Sequence, residues 1–164
     1  MSTETDSAAS TDTDWTAEAV RMATGSVDEG GGPFGALVLR GGRRIASGTN
    51  LVTTDLDPTA HGEVTAIRRA CRALGTFSLA GCVLVSSCEP CPMCLAAALW
   101  ARLDRVLYAA DREDAAHAGF DDRAFHDLFR DPGRPWPTEV RQIALDERNA
   151  PFDRWLAKPD RVEY

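Results

Sequence analysis

The chain has 164 residues, 44% of them hydrophobic, which is enough for one domain with a sizeable core. Its formal net charge of −7 argues against a protein that binds the phosphate backbone of a nucleic acid. Five cysteines, an odd number, do not fit the disulfide framework of a secreted protein. Because neither a signal peptide nor an apolar run of membrane-spanning length is recognisable, we expect a cytoplasmic protein with no membrane partner.

The first part of the sequence predicts a tail, a helix and a hairpin. Residues 1–13 are mostly Ser, Thr, Ala and acidic residues, so we predict a disordered tail ahead of a single domain at 14–164. Asp14 is expected to cap a helix that runs as far as the first glycine-rich turn. Two apolar runs at 34–40 and 43–48, separated by Gly-Gly, are typical of a β-hairpin.

The rest of the sequence alternates between helices and strands. The expected elements are a helix from about 61 to 75, a strand at 82–86, a helix from 91 to about 102 and a strand at 105–109. A fifth strand at 139–145 and a last helix at 151–158 follow a proline-rich loop. A hairpin followed by a strand–helix–strand unit predicts an α/β protein, a three-layer α/β/α sandwich around a mixed central sheet of about five strands.

The strongest chemical signal is the run Ser-Cys-Glu-Pro-Cys-Pro-Met-Cys at 87–94, between a strand and a helix. Cys91 and Cys94 lie three residues apart, and a helix N-terminus favours thiolates, so the pair suits a soft divalent metal. A redox Cys-x-x-Cys fits the same context. Adding Cys88 gives the start of an iron–sulfur motif, but no fourth cysteine follows at the required spacing. A structural Cys₄ zinc site needs a second close pair, and the other two cysteines are eleven residues apart.

A third ligand is available about thirty residues upstream, in the run Ala-His-Gly-Glu at 60–63. His61 with Cys91 and Cys94 would give zinc three protein ligands and leave a fourth position for water, as in catalytic sites. Zinc lowers the pKa of such a water to about 7, and Glu63 would then move protons between water and substrate. Because residues two apart do not share a helical face, the metal must lie beyond the first turn. His-x-Glu with Pro-Cys-x-x-Cys is the signature of zinc nucleobase deaminases, so Zn²⁺ is the predicted cofactor.

With these motifs, the sequence resembles the cytidine deaminase-like superfamily and, within it, the bacterial guanine deaminases. The resemblance extends from about residue 31 to the end of the chain. It is carried by Gly-Pro-Phe-Gly-Ala at 32–36, Asn50, Asp-Pro-Thr-Ala-His at 57–61, the cysteine motif, Ala-Ala-Asp at 109–111, Ala-Gly-Phe-Asp-Asp at 118–122 and the terminal Glu-Tyr. The zinc motif specifies only the superfamily, whereas the Gly-Phe-Asp-Asp run and the Glu-Tyr end indicate guanine deaminases.

The resemblance implies a set of contacts to a purine base. Asn50 would hydrogen-bond the base, although an Asn at a strand end is by itself typical of a turn. Phe34 and Trp100 would pack against the faces of the ring. Asp121 would contact the imidazole side of the purine, and Asp122 would assist the general base in moving protons. On residue type alone, paired acids at such a position are more often a helix cap.

The resemblance also implies a domain-swapped homodimer, in which the C-terminal segment of one subunit closes the site of the other. Tyr164 would then be a lid residue that acts in the partner subunit. One residue departs from the family pattern, because Gly62 replaces the usual alanine at a position whose backbone N–H faces the substrate carbonyl. We expect the missing methyl group either to widen the pocket or to loosen the site.

Together, these features predict a zinc-dependent aminohydrolase that converts guanine to xanthine and ammonia, with Glu63 and Asp122 as catalytic residues. The same apparatus would also suit another amino-heterocycle, such as an aminotriazine or a cytosine analogue. A tRNA adenosine deaminase shares the zinc motif, but an acidic chain is a poor ligand for RNA. A zinc protein without catalytic activity would have no use for Glu63 as a general base.

Overall fold

The computed structural model describes residues 11–164, which form seven α-helices and four β-strands. The helices are α1 (Asp12–Asp28), α2 (Val52–Asp55), α3 (Gly62–Leu74), α4 (Pro92–Trp100), α5 (Arg112–His117), α6 (Arg123–Arg130) and α7 (Ala150–Leu156). The strands are β1 (Gly32–Arg40), β2 (Arg43–Asn50), β3 (Cys82–Cys88) and β4 (Arg105–Ala110), and a 3₁₀ turn covers Asp146–Asn149. Among the residues described, no helix has both the length and the apolar character that crossing a bilayer requires.

The four strands form one mixed sheet in the order β2-β1-β3-β4. β1 pairs antiparallel with β2 in the predicted hairpin and antiparallel with β3 on its other side, whereas β3 and β4 are parallel. A parallel pair requires a crossover connection, which α4 supplies. The fifth strand predicted at 139–145 is wrong, because this stretch is irregular and exposed. Val140 and Ile143 are three residues apart, so a strand would turn them to opposite faces.

Different helices cover the two faces of the sheet, which confirms the predicted three-layer α/β/α sandwich. On one face, Leu37 and Val85 pack with residues of α1. On the opposite face, Val38 and Leu84 pack with residues of α3 and α4. Because neighbouring residues of a strand point to opposite faces, both faces of the central strands must be apolar. This explains the apolar runs at 36–39 in β1 and 82–85 in β3.

Two glycines let helices approach the sheet closely. A Cβ atom at Gly35 in β1 would lie 2.9 Å from the carbonyl oxygen of Ala19 in α1. A Cβ atom at Gly48 in β2 would lie 2.5 Å from the carbonyl oxygen of Gly62 and 2.6 Å from the backbone nitrogen of Ala66 in α3. A larger residue at either position would therefore push a helix away. The approach at Gly48 holds the first turn of α3 against the hairpin.

Helix α1 begins earlier than the sequence predicts, because Thr11 and not Asp14 is its N-cap. The hydroxyl of Thr11 accepts a hydrogen bond from the N–H of Asp14 at 3.2 Å, and the carboxylate of Asp14 accepts one from the N–H of Thr11 at 2.8 Å. In this reciprocal capping box the acidic residue occupies the third helical position. Because Asp is also a common N-cap residue, the sequence alone suggests Asp14 as the cap. Of the predicted tail at 1–13, residues 11–13 form this helix start, and residues 1–10 lie outside the described residues.

The C-terminal segment, residues 131–164, is exposed along its whole length. The predicted last helix is present as α7. Its apolar side chains Phe152, Trp155 and Leu156 are nevertheless exposed, so they have no core within the same chain. Exposed apolar side chains of this number mark a surface that is suited to contact another molecule.

Candidate active site

The N-termini of two helices bring the three predicted metal ligands together. His61 is the N-cap of α3, Cys91 is the N-cap of α4, and Cys94 lies in the first turn of α4. The Nδ1 atom of His61 lies 3.6 Å from Sγ of Cys91 and 3.5 Å from Sγ of Cys94. A metal bound by these atoms lies beyond the helix ends, as the spacing of the motif predicts.

The separations of the three donor atoms fit a tetrahedral zinc site. All three atoms lie within 4.8 Å of one another. With Zn–N of about 2.0 Å and Zn–S of about 2.3 Å, tetrahedral geometry places nitrogen and sulfur about 3.5 Å apart. Both distances from His61 match this value. One imidazole and two thiolates are also a donor set that suits zinc, and three protein ligands leave one position for water.

The two ligand cysteines compete for a proton because their sulfur atoms are neighbours. The hydrogen bond with Cys94 lowers the pKa of the Cys91 thiol well below its usual range, and His61 adds to this effect. Conversely, the hydrogen bond with Cys91 raises the pKa of Cys94, and burial adds to it. Such a pair binds a divalent cation by exchanging its remaining proton for the metal.

Glu63 lies in the first turn of α3 as a buried acid, 5% exposed, beside the metal ligands. Its Oε1 accepts a hydrogen bond from the hydroxyl of Ser86 at 3.2 Å, and its Oε2 lies 3.5 Å from Sγ of Cys94. Burial raises the pKa of Glu63. A carboxyl group with a raised pKa next to a metal site can both accept and donate a proton at neutral pH.

A cavity of about 760 Å³ opens above the metal ligands. This volume lies in the range of small-molecule binding sites. Its walls come from the start of β1, the end of β2, the loop after β3 and the α5–α6 region. Six of the predicted site residues line it: Phe34, Asn50, His61, Glu63, Cys91 and Asp122.

The cavity offers aromatic rings and an amide group to a flat heterocycle. Phe34 and Phe120 pack edge to face, with ring centroids 5.0 Å apart and planes at 88°. Asn50 ends β2, and its Oδ1 accepts a hydrogen bond from the N–H of Val52 at 3.2 Å. This contact uses the acceptor of the amide and leaves its NH₂ group for a ligand. Asn50 is therefore both the turn residue that its position indicates and a residue that lines the cavity.

The neighbouring acids Asp121 and Asp122 have different surroundings. The exposed carboxylate of Asp121 accepts hydrogen bonds from the backbone N–H of Arg123 at 3.2 Å and from its guanidinium at 2.8 and 2.7 Å. These bonds from Arg123 lower the pKa of Asp121 to about 2. Asp122 lines the cavity, and its side chain makes no capping bond although it is the N-cap of α6. Asp121 is not among the residues that line the cavity, and its contact with the base stays a prediction.

Trp100 and Tyr164 also lie outside the cavity of their own chain. The nine-residue helix α4 starts at the metal ligands, so a rise of about 1.5 Å per residue places Trp100 roughly 9 Å along the helix from Cys94 and roughly 13 Å from Cys91. Its ring, in a side chain 63% exposed, lies 6.2 Å from that of Tyr164, which also packs 6.5 Å from the ring of Phe77. The predicted base contacts of Trp100 and Tyr164 would therefore have to be made in the site of a second chain.

Of the two effects expected of Gly62, a wider pocket or a looser site, the structure favours the second, because a side chain at this position would point toward the hairpin. A Cβ atom there would lie 3.4 Å from the carbonyl oxygens of Gly48 and Phe34. These are ordinary van der Waals contacts with strand backbone, and Gly62 is not among the residues that line the cavity. The missing methyl group therefore affects how α3 packs on the hairpin and leaves the size of the cavity unchanged.

Because this space is available, we expect Gly62→Ala to raise the free energy of unfolding by up to about 1 kcal/mol, since alanine favours helices over glycine. Activity should stay within about twofold of the wild type. The matched control is Gly48→Ala, whose Cβ would meet backbone at 2.5 Å and should cost about 1–3 kcal/mol. Urea denaturation measures both effects. A changed substrate range in Gly62→Ala would show that the methyl group reaches the cavity after all.

Two supporting contacts are not predicted from the sequence. Ser86, the partner of Glu63, interrupts the apolar run of β3 at a buried position, and this interruption is the signal that could have identified it. Glu89 accepts hydrogen bonds from the backbone N–H of Arg112 at 3.1 Å and from its Nε at 3.0 Å. This ion pair joins the start of α5 to the loop that carries Cys91. Nothing local to the cysteine motif points to a partner 23 residues away.

Three protein ligands for zinc with a buried carboxyl group at their side, in an α/β/α sandwich, define a class of enzyme: the zinc-dependent hydrolytic deaminases. Residues 9–110 match the family model of the cytidine and deoxycytidylate deaminase zinc-binding region. The chain belongs to this family, whose cofactor is zinc. The match includes every metal ligand and Glu63, and it ends before α5.

The comparisons with individual proteins extend further along the chain. Guanine deaminase of Bacillus subtilis (strain 168) is 48% identical over 147 residues, which cover 89% of this chain and 94% of that protein. The X-ray structure of guanine deaminase from Bacillus subtilis matches with a TM-score of 0.90 and 46% identity, over 94% of this chain and 99% of the other. A tRNA-specific adenosine deaminase of Aquifex aeolicus is 40% identical over 101 residues, 62% of this chain and 66% of that protein.

Proposed function

We propose that the protein catalyses the hydrolytic deamination of guanine to xanthine and ammonia. The observation that carries this proposal is the buried Glu63, which lies beside the zinc ligands at a cavity of about 760 Å³. The similarity to a guanine deaminase over 89% of this chain supports guanine as the base. In the reaction, water adds to C2 of guanine and the bond from C2 to the amino nitrogen breaks. Guanine and water are thereby converted to xanthine and ammonia.

Glu63 is the residue that moves protons during this reaction. When bound, zinc supplies an activated water by lowering the pKa of that water to about 7. Oε1 of Glu63 already accepts a hydrogen bond from the hydroxyl of Ser86. Oε2, which lies near Cys94, is therefore the oxygen that carries the proton. From there the proton passes to a ring nitrogen of the base, and a proton passes later to the departing amino group.

The other residues of the cavity bind and orient the base. Phe34 and Phe120 provide apolar contact to the ring, and the NH₂ group of Asn50 donates hydrogen bonds to its acceptors. Oδ1 of Asp122 is buried without a hydrogen-bond partner among residues 11–164, so it can accept a hydrogen bond from an N–H of the base. Helix α3 begins at Gly62, and its positive N-terminal end favours negative charge that develops on the base, although Gly62 itself does not line the cavity.

Ammonia release from a panel of amino-heterocycles tests the proposal. The panel contains guanine, guanosine, adenine, cytosine and an aminotriazine, with tRNA as a macromolecular substrate. We expect ammonia and xanthine in equal amounts from guanine, and no inosine in tRNA, because the chain carries a net charge of −7. A tenfold preference for another heterocycle would replace guanine as the substrate but keep the reaction. No ammonia from any substrate with zinc-loaded protein would contradict a deaminase.

We extend the proposal to a cytoplasmic homodimer in which the C-terminal segment of each subunit closes the cavity of the other. The exposure of every residue in this segment supports the exchange, as does the position of Trp100 and Tyr164 outside the cavity of their own chain. The cytoplasm suits the proposal because Cys91 and Cys94 must stay reduced to bind zinc.

Deleting residues 163–164 tests this closure. We expect the fold and the zinc content to be unchanged, because both residues are exposed. The value of kcat/KM should fall at least tenfold, about 1.4 kcal/mol of transition-state stabilisation, because the lid that excludes water is lost. Mixing the truncated chain with a Glu63→Ala chain should restore part of the activity in hybrid dimers. Full activity of the truncated protein alone would rule out the lid.

A further inference from the structure

We propose that His126 is a positioning residue, which holds one carboxylate oxygen of Asp122 and thereby turns the other oxygen toward the substrate. The inference rests on the proposed function, in which Asp122 contacts the base. His126 lies in α6, one turn after Asp122, and is 8% exposed. An i, i+4 pair on a helix places the two side chains side by side. Neither the zinc motif nor the family match at 9–110 includes this histidine.

The first step is that the side chain of Asp122 does not form the hydrogen bond that is usual for an N-cap residue. An aspartate at this position normally accepts a hydrogen bond from a backbone N–H of the first turn. Here the side chain of Asp122 makes no such bond. The preceding residue, Asp121, instead accepts the N–H of Arg123 at 3.2 Å. The carboxylate of Asp122 is therefore free to turn inward, toward the cavity and toward His126.

The second step concerns the two oxygens of that carboxylate. Oδ2 lies 3.2 Å from Nε2 of His126, a distance that allows a hydrogen bond, although the present angle is poor. Oδ1 is buried and has no hydrogen-bond partner among residues 11–164. Because Asp122 lines the cavity, Oδ1 is the carboxylate oxygen that is available to accept a hydrogen bond from a bound ligand.

The third step is that, among residues 11–164, Asp122 is the acid whose carboxylate lies within 4.0 Å of His126. Glu89 is the other acidic side chain that interacts with His126. Its carboxylate is already occupied by the guanidinium and backbone N–H of Arg112. His61, Cys88 and Arg112 are charged or titratable groups near Asp122. His61 contacts the ligand cysteines, Cys88 a backbone carbonyl and Arg112 the carboxylate of Glu89. Among the described residues, Oδ2 of Asp122 is therefore the carboxylate oxygen within reach of Nε2 of His126.

A set of variants at His126 tests this role. His126→Leu removes the donor, and we expect kcat to fall at least tenfold while zinc content stays the same. His126→Gln keeps an N–H group near the position of Nε2, so its kcat should recover to within about threefold of the wild type. His117→Gln, at an exposed histidine at the end of α5, is the matched control and should change nothing.

A double-mutant cycle separates positioning from a general effect on folding. In an Asp122→Asn background, where the carboxylate is gone, His126→Leu should change kcat by less than about twofold. If the two substitutions lower kcat independently, so that the double variant shows the product of the two single losses, the inference is overturned. A His126→Leu protein with at least half of the wild-type kcat would also overturn it. If His126→Leu fails to fold, His126→Asn replaces it, because its shorter amide cannot reach Oδ2. A wild-type protein that releases no ammonia from guanine would instead refute the proposed function, and this inference with it.

Discussion

Glu63→Ala is expected to lower kcat/KM by at least about 10²–10⁴-fold, the usual effect of losing a general acid–base group. The same carboxyl group handles a proton at two stages of the reaction, so we expect the upper end of this range. The zinc content should remain at about one per chain, because Glu63 contributes none of the three donor atoms. Steady-state kinetics together with metal analysis of the purified variant measures both quantities.

Two further variants make the result specific to proton transfer. Glu63→Gln preserves the shape of the side chain and an acceptor for the Ser86 hydroxyl, so it should be as inactive as the alanine variant while folding normally. Ser86→Ala removes only the bond at 3.2 Å to Oε1, and its activity should fall by a factor of about ten or less. If either variant at Glu63 retained activity within tenfold of the wild type, the assigned mechanism would be incorrect.

The second large effect is expected from the cysteines. Cys91→Ala removes one of three ligands, so the variant should contain less than about a tenth of a zinc per chain and should have no measurable activity. The buried Cys88, three residues earlier, provides a matched control. Its Sγ lies 3.7 Å from the carbonyl oxygen of Asp111 and is not part of the ligand cluster. Cys88→Ala should therefore keep about one zinc, and loss of zinc from this variant would mean that the wrong cysteines are assigned as ligands.

The metal ligands could be predicted from the sequence because their chemistry is local to two helix starts. His61 and Cys91 are both N-caps, a position that the sequence marks by the residues around it. Two short motifs were therefore sufficient to indicate both the donor atoms and the direction from which they approach the metal. The same is true of the hairpin and the parallel strand pair, whose apolar runs reflect burial on both faces of the sheet.

Other features depend on contacts between distant parts of the chain, and the sequence could not indicate them. Residue type does not distinguish Asp121 from Asp122, because the difference arises from Arg123 on one side and the cavity on the other. Likewise, the effect of Gly62 depends on strand backbone at 3.4 Å, which only the tertiary fold brings into place. The predicted strand at 139–145 had apolar residues but no periodicity to place them on one face.

The two sides of the cavity come from separate stretches of chain, and this separation bears on how such enzymes diversify. The metal ligands and the general base belong to the sheet-supported region that the family model covers, residues 9–110. Phe120 and Asp122 lie beyond it, in the connection between α5 and α6, and the Glu89–Arg112 pair attaches the start of α5 to that region. The residues that hold the metal are therefore separate along the chain from Phe120 and Asp122 on the other wall, so a substitution between 112 and 126 can alter that wall without removing a metal ligand.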